Sequence, residues 1–197
     1  MIYGDAEKSM KVLLIDGEQS GAMGRCAGYL AQEGISSRVM ILQDEIQGCV
    51  ACGKCYKQSR CIFHDEINTL LDSAGEYDGL IVSANMFYGR PDDRVLRFLE
   101  RLFRCDPAVW ALKPAACIVS VRNGSGYQAF EQLSGSFGEM IVSGYCTVRR
   151  TSEETPDDEL KHLCECMTWL LKCMEAGRKE GIEKPSGYVR KDISYMR

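Results

Sequence analysis

Lys11-Val12-Leu13-Leu14-Ile15-Asp16-Gly17-Glu18-Gln19-Ser20-Gly21-Ala22-Met23-Gly24 is the stretch that decides the fold. Its first six residues form an apolar run without polar alternation, as expected of a parallel strand buried on both faces. A glycine-rich turn follows. Met23, Cys26, Ala27, Leu30 and Ala31 then recur at i, i+3, i+4, i+7 and i+8, which lays one apolar stripe along a helix. Gly34 ends that helix.

The same unit repeats outward along the chain. Strands are expected at 37–42, 78–83, 115–120 and 140–143. The third is expected to run into an aromatic loop, Ala84 to Gly89, with Pro91 in the first turn of the next helix. That helix carries the stripe Val95, Phe98, Leu99 and Leu102. Shorter stripes at Ile67–Leu71 and at Phe130, Leu133 and Phe137 give two more helices. Thr155-Pro156-Asp157-Asp158 opens the last one with a cap, a first-turn proline and acids at the positive dipole end. Its core face is Leu160, Leu163, Cys164, Met167, Leu170, Leu171 and Met174, and Gly177 is expected to close it. Five apolar strands alternating with helices predict an α/β protein, a doubly wound parallel sheet with right-handed crossovers. One domain over residues 1–177 with a cysteine-rich insertion at 48–66, followed by a tail at 178–197, accounts for the 197 residues.

Composition excludes several function classes. The formal net charge of −4 offers no basic surplus for nucleic acid. No apolar run approaches the roughly 20 residues of a membrane span. Eleven cysteines, an odd number, with no signal-peptide pattern at Met1 to Asp5, point to a reducing, cytoplasmic setting.

In a doubly wound sheet, ligands bind beyond the carboxyl ends of the strands. Three turns there carry suitable groups. Gly17, Gln19, Ser20, Gly21, Met23 and Gly24 precede a helix N-terminus, where free N–H groups and the dipole suit a phosphate. Asn85, Met86, Phe87, Tyr88 and Gly89 offer aromatic walls and hydrogen bonds for a flat ring. Arg122, Asn123 and Gly124 can bring further N–H groups to its edge. Each turn also reads as an ordinary loop or core cap, so the case rests on their convergence.

Cys49, Cys52, Cys55 and Cys61 have the spacing C-x2-C-x2-C-x5-C. A compact run of thiolates suits a 4Fe-4S cluster. Zinc held by four thiolates and a set of bare thiols are the competing readings.

The segment Gly48-Cys49-Val50-Ala51-Cys52-Gly53-Lys54-Cys55-Tyr56, continued by Cys61-Ile62-Phe63-His64-Asp65-Glu66, resembles the cysteine signature of the iron–sulfur flavoproteins and related NADPH-dependent FMN reductases. Ser83 to Arg101 and Lys113-Pro114 are similar to the same family. The resemblance spans roughly residues 11–175. It implies a flavodoxin-like three-layer α/β/α fold with a five-stranded parallel sheet in the order 2-1-3-4-5, FMN at the three turns, and a homodimer or homotetramer. This sequence departs from the family at the first turn, which reads Asp16-Gly17-Glu18-Gln19-Ser20-Gly21 rather than Ser-Pro-Arg. It departs again at Asn85 and Phe87, where the family has Pro and Tyr.

The resulting expectation is an FMN-dependent oxidoreductase. It would move electrons from NAD(P)H or a ferredoxin to an unknown acceptor, a small molecule or a protein, with no dedicated acid or base. A non-enzymatic flavodoxin-like carrier and a flavin-free, metal-stabilised binding module are the alternatives. Arg90, Arg94, Arg97, Arg101 and Arg104 read as a solvated helix face, and His64 and His162 as solvated side chains. Cys26, Cys117 and Cys164 read as apolar fillers. Cys166, Trp169 and Cys173 hint at a subunit contact.

Overall fold

A computed structural model describes residues 9–122, 126–149 and 157–185. Five parallel strands form the sheet: β1 (Lys11–Asp16), β2 (Ser36–Ile41), β3 (Gly79–Phe87), β5 (Pro114–Val121) and β6 (Ile141–Arg149). A two-residue strand, β4 (Arg90–Pro91), pairs antiparallel with the end of β3. The order is β2-β1-β3-β5-β6 with β4 off the path, which is the flavodoxin-like 2-1-3-4-5 arrangement of the five parallel strands.

Helices cover both faces. α1 (Ala22–Gln32) and α7 (Asp157–Lys179) lie on one. α3 (Glu66–Ser73), α4 (Asp93–Cys105), α5 (Pro107–Trp110) and α6 (Tyr127–Ser136) lie on the other, and the short α2 (Cys55–Gln58) sits within the cysteine loop. The two-residue period of a strand explains the two cores. Leu13 and Ile15 join Phe98, Leu102 and Trp110 on the α4 side, whereas Val12 and Leu14 join Met23, Leu30 and Met167 on the α1 side. β1, β3 and β5 are central and nearly fully buried. β2 is an edge strand, and its side chains are largely exposed.

Three boundaries differ from the sequence reading. Ala84 to Phe87 is strand, not loop: β3 runs on and turns back through Tyr88 and Gly89, both at positive φ (49° and 80°), into β4. That pair of left-handed residues is the backbone a tight hairpin requires. Pro91 therefore belongs to β4. The helix start falls to Asp92, whose carboxylate accepts the Arg94 N–H. Finally, α7 continues past Gly177 to Lys179, and the chain reverses at Gly181 (φ 76°). Thr155 and Pro156 lie outside the described residues. No helix among the described residues is long and apolar enough to cross a membrane.

Candidate functional site

The first turn is built on a contact only glycine permits. A Cβ on Gly17 would lie 2.5 Å from the Ser83 carbonyl oxygen and 2.4 Å from Val95 Cγ2. With no side chain there, the Gly17 N–H donates to the Ser83 carbonyl (3.1 Å), and β1 and β3 end side by side. Asp16 organises the next three residues. Its Oδ1 accepts the N–H of Glu18 (3.1 Å), the N–H of Gln19 (2.7 Å) and the Ser83 hydroxyl (3.1 Å). The Glu18 carboxylate accepts the Ser20 hydroxyl at 2.8 Å. The Gln19 amide, expected to face a ligand, is thus committed to the protein's own carboxylate together with that of Glu18.

The donors that fit a phosphate lie further on, at the start of α1. Gly21 sits at φ 80°, and nothing approaches within 4 Å of a Cβ at either Gly21 or Gly24. The first-turn N–H groups of Met23 and Gly24 have no acceptor one turn back. The free N–H groups of this turn are thus those of Met23 and Gly24 rather than of 18–19, since Ala22 donates to the Ser20 hydroxyl and Glu18 and Gln19 to Asp16.

The second turn is the β3–β4 hairpin. Asn85 is buried, and its carbonyl accepts the Asp92 N–H at 2.9 Å, closing the hairpin onto α4. Met86 is half-buried. Phe87 is half-exposed and Tyr88 fully exposed, so these aromatics do not cap the core. Gly89 faces α6, whose Gln132 amide donates to its carbonyl at 3.5 Å. In the third turn Arg122 is exposed, and Asn123 and Gly124 lie outside the described residues. Asn85 pairs with Ser120 across β3 and β5, so the second and third turns leave adjacent strand ends.

Cys49, Cys52, Cys55 and Cys61 all line one small cleft with Val50, Ile62, Phe63 and Cys105. Left-handed residues bend the loop around it: Ala51 (φ 51°), Gly53 (φ 69°) and Ser59 (φ 50°). The Ala51 N–H donates to Cys49 Sγ at 3.4 Å. Among the described residues no three His, Cys, Asp or Glu side chains converge on a point that a single metal ion could occupy. Four sulfurs about 2.3 Å from one zinc would have to meet at such a point. Here the four thiols line one side-chain cleft. A donor set of four thiols around an apolar cavity suits a polynuclear iron–sulfur group in its chemistry. Cys105 is a fifth thiol that the spacing did not single out. Burial pushes it up to about 12, reinforced by Cys55 and Cys61 nearby, so it is a neutral wall of the cavity. Burial also pushes the Cys55 thiol up.

The arginines of α4 are the largest correction. Arg101 is 1% exposed, not solvated. Its guanidinium makes a fork to Asp65 (2.6 and 3.0 Å), donates to the Gln47 carbonyl (3.2 Å), and places Nε 3.3 Å from Cys61 Sγ. The Phe63 ring lies under it, 4.9 Å away. Burial alone would lower its pKa, but Asp65 and Cys61 outweigh that and raise it. Arg104 also lines the cavity and reaches the Tyr56 hydroxyl. Arg94, one end of the same helix, donates to the Gly17 carbonyl (3.2 Å) and pairs with Asp92 and Asp44. The signal for Arg101 was present in the helical register, since it falls three residues after Phe98 and four before Cys105 on the inward stripe. His64 and His162 are exposed, and Cys26, Cys117 and Cys164 are buried, as expected. Trp169 is 69% exposed and Cys173 exposed, and Cys166, one turn before Trp169, is half-buried.

Comparison with known proteins agrees with this fold. The profile of the family described as NADPH-dependent FMN reductase matches residues 10–152. An iron–sulfur flavoprotein of Methanocaldococcus jannaschii is 26% identical over 124 residues, 58% of this chain and 63% of that protein. The chain thus spans less than two thirds of that relative. Among solved structures, a flavone reductase superposes with a TM-score of 0.63 at 14% identity, covering 84% of this chain and 64% of the other. The flavodoxin of Megasphaera elsdenii superposes with a TM-score of 0.54 at 18% identity, covering 80% of this chain and 98% of the other. At these identities the two structures speak for the fold alone.

Proposed function

The chain belongs to the NADPH-dependent FMN reductase family, and on that premise we propose that it is an FMN-dependent oxidoreductase whose four clustered cysteines carry a 4Fe-4S cluster. Electrons come from NAD(P)H or a ferredoxin and leave to a small-molecule or protein acceptor. Bound FMN would supply exchange between two-electron and one-electron chemistry. The chain's own part is to hold and orient. Gly21, Met23 and Gly24 present N–H groups to the phosphate. Phe87, Tyr88 and Gly89 offer an open aromatic edge for the ring, and Cys49, Cys52, Cys55 and Cys61 provide the thiolates. The exposure of Phe87 and Tyr88 leaves room for a nicotinamide or another planar acceptor to stack there.

The observation that carries this reading is that one helix supports both corners. Arg94 holds the first turn and Arg101 holds the cysteine loop, seven residues or about 10 Å of helix rise apart. The deciding experiment is anaerobic reconstitution with FMN, iron and sulfide, followed by a visible spectrum, an iron and sulfide assay, and NAD(P)H oxidation. The expected result is a flavin spectrum overlaid by broad iron–sulfur absorption, with nicotinamide turnover. Flavin without turnover would identify a carrier of electrons. Colourless protein would overturn the proposal.

A further inference from the structure

Arg101 does more than close a loop, and the atoms it touches specify its role. Two of its contacts bracket the cysteine segment. The Gln47 carbonyl lies two residues before Cys49, and the Asp65 carboxylate four residues after Cys61. The third contact is to a sulfur, from Nε to Cys61 Sγ at 3.3 Å. Such a fork, held on both sides of the segment and buried to 1% exposure, leaves the guanidinium almost no freedom to turn away. The Phe63 face closes the remaining side. A fixed, buried cation with an N–H aimed at one thiol is more than the loop needs for anchoring, since the Asp65 fork and the Gln47 carbonyl already provide that.

We infer that Arg101 is a positioning and redox-tuning residue for the iron–sulfur group, holding Cys61 Sγ toward the cavity and raising that group's reduction potential through its Nε–H···S hydrogen bond and its charge. This rests on the cluster reading above. The physical reason is that reduction adds negative charge to the cluster and its thiolates. A buried cation and a donor directed at a ligand sulfur stabilise the reduced form more than the oxidised one. A carboxylate in this place would have the opposite preference.

The test uses the full chain, loaded anaerobically with FMN, iron and sulfide. Wild type, Arg101→Lys, Asp65→Asn alone and the double variant Arg101→Met with Asp65→Asn are compared; the double variant leaves no buried carboxylate unpaired. The cluster potential is read by dye-mediated titration of its visible and paramagnetic signals. Bound FMN and far-ultraviolet circular dichroism report the fold. Against Asp65→Asn alone, which removes the carboxylate but keeps Arg101, the double variant is expected to keep its flavin and its iron, with a potential lower by at least about 59 mV, a tenfold change in the one-electron equilibrium. Arg101→Lys, which keeps the charge but not the fork, is expected to fall between. Loss of iron from a variant that keeps its fold and flavin also supports the positioning role. If the double variant does not fold, Arg101→Lys is judged by the same criteria. An unchanged potential with full iron content overturns the inference alone. A wild-type protein that takes up no iron overturns the cluster reading, and this inference with it.

Discussion

Two corners of the sheet's carboxyl edge hang from the same helix and carry opposite charge. At the first turn the groups nearest the backbone are carboxylates: Asp16 binds the amides of Glu18 and Gln19, and Glu18 binds Ser20. At the cysteine loop they are guanidiniums, with Arg101 on Cys61 and Arg104 in the cavity wall. An anionic ligand at the α1 N-terminus meets the Glu18 carboxylate, with the Arg94 guanidinium on the Gly17 carbonyl as the cation at that turn. Thiolates at the loop meet ready-made compensation. The contrast says that the cysteine corner is the more strongly preorganised of the two.

The comparison can be broken most directly at Arg101. Arg101→Ala leaves Asp65 facing a cavity where a fork had been, and the one-third exposure of Asp65 softens the penalty. A loss of about 3 kcal/mol of unfolding free energy is expected for the metal-free protein. A urea titration showing less than about 0.5 kcal/mol would mean that the loop does not depend on this residue.

Gly17→Ala attacks the other corner. The added methyl meets the Ser83 carbonyl and Val95 within 2.5 Å. The turn must move, with about 2 kcal/mol lost and FMN binding weakened by about tenfold or more. Fluorescence quenching of free FMN measures the second effect. Iron content should be unchanged, since the cysteine loop has a separate anchor.

Glu18→Gln sharpens the contrast from the opposite direction. Removing one negative charge beside the α1 N-terminus should tighten FMN binding by about fivefold, or about 1 kcal/mol. Isothermal titration would register it, and weaker binding would show that Glu18 assists the ligand.

The smallest effect concerns Asp92, which holds the Arg94 guanidinium in place beside the first turn. Burial would raise its pKa, but the Arg94 side chain and N–H outweigh that and hold it below the ordinary carboxylate range. Its stabilisation is therefore present above the unfolded carboxylate pKa of about 3.9 and lost as pH falls through the lower folded value. Asp92→Asn keeps the cap and removes the charge. The stability difference from wild type should be about 0.5 kcal/mol at neutral pH and should shrink toward zero in strong acid. A difference that grows on acidification would contradict the assignment.

The sequence by itself determined the sheet, its order through resemblance, and the identity of the cysteine set. Each rests on local information: an unbroken apolar run needs two covered faces, a 3.6-residue stripe needs one, and C-x2-C-x2-C spacing fixes which thiols share a loop. It also showed that the first turn was unusual, because Glu18 is visible in the string. Only the tertiary structure decided where those groups act. The hairpin that turns Ala84–Phe87 into strand is closed by its packing onto α4. The meeting of Asp16 with Ser83 and the inward turn of Arg101 toward Asp65 depend on partners 67 and 36 residues away. A run of arginines at helical spacing looks solvated until something fills the space beside it. Here Asp65, Gln47 and Cys61 arrive from a loop whose path is set by β2 and α3, and their carboxylate, carbonyl and sulfur replace the water that the Arg101 guanidinium gives up.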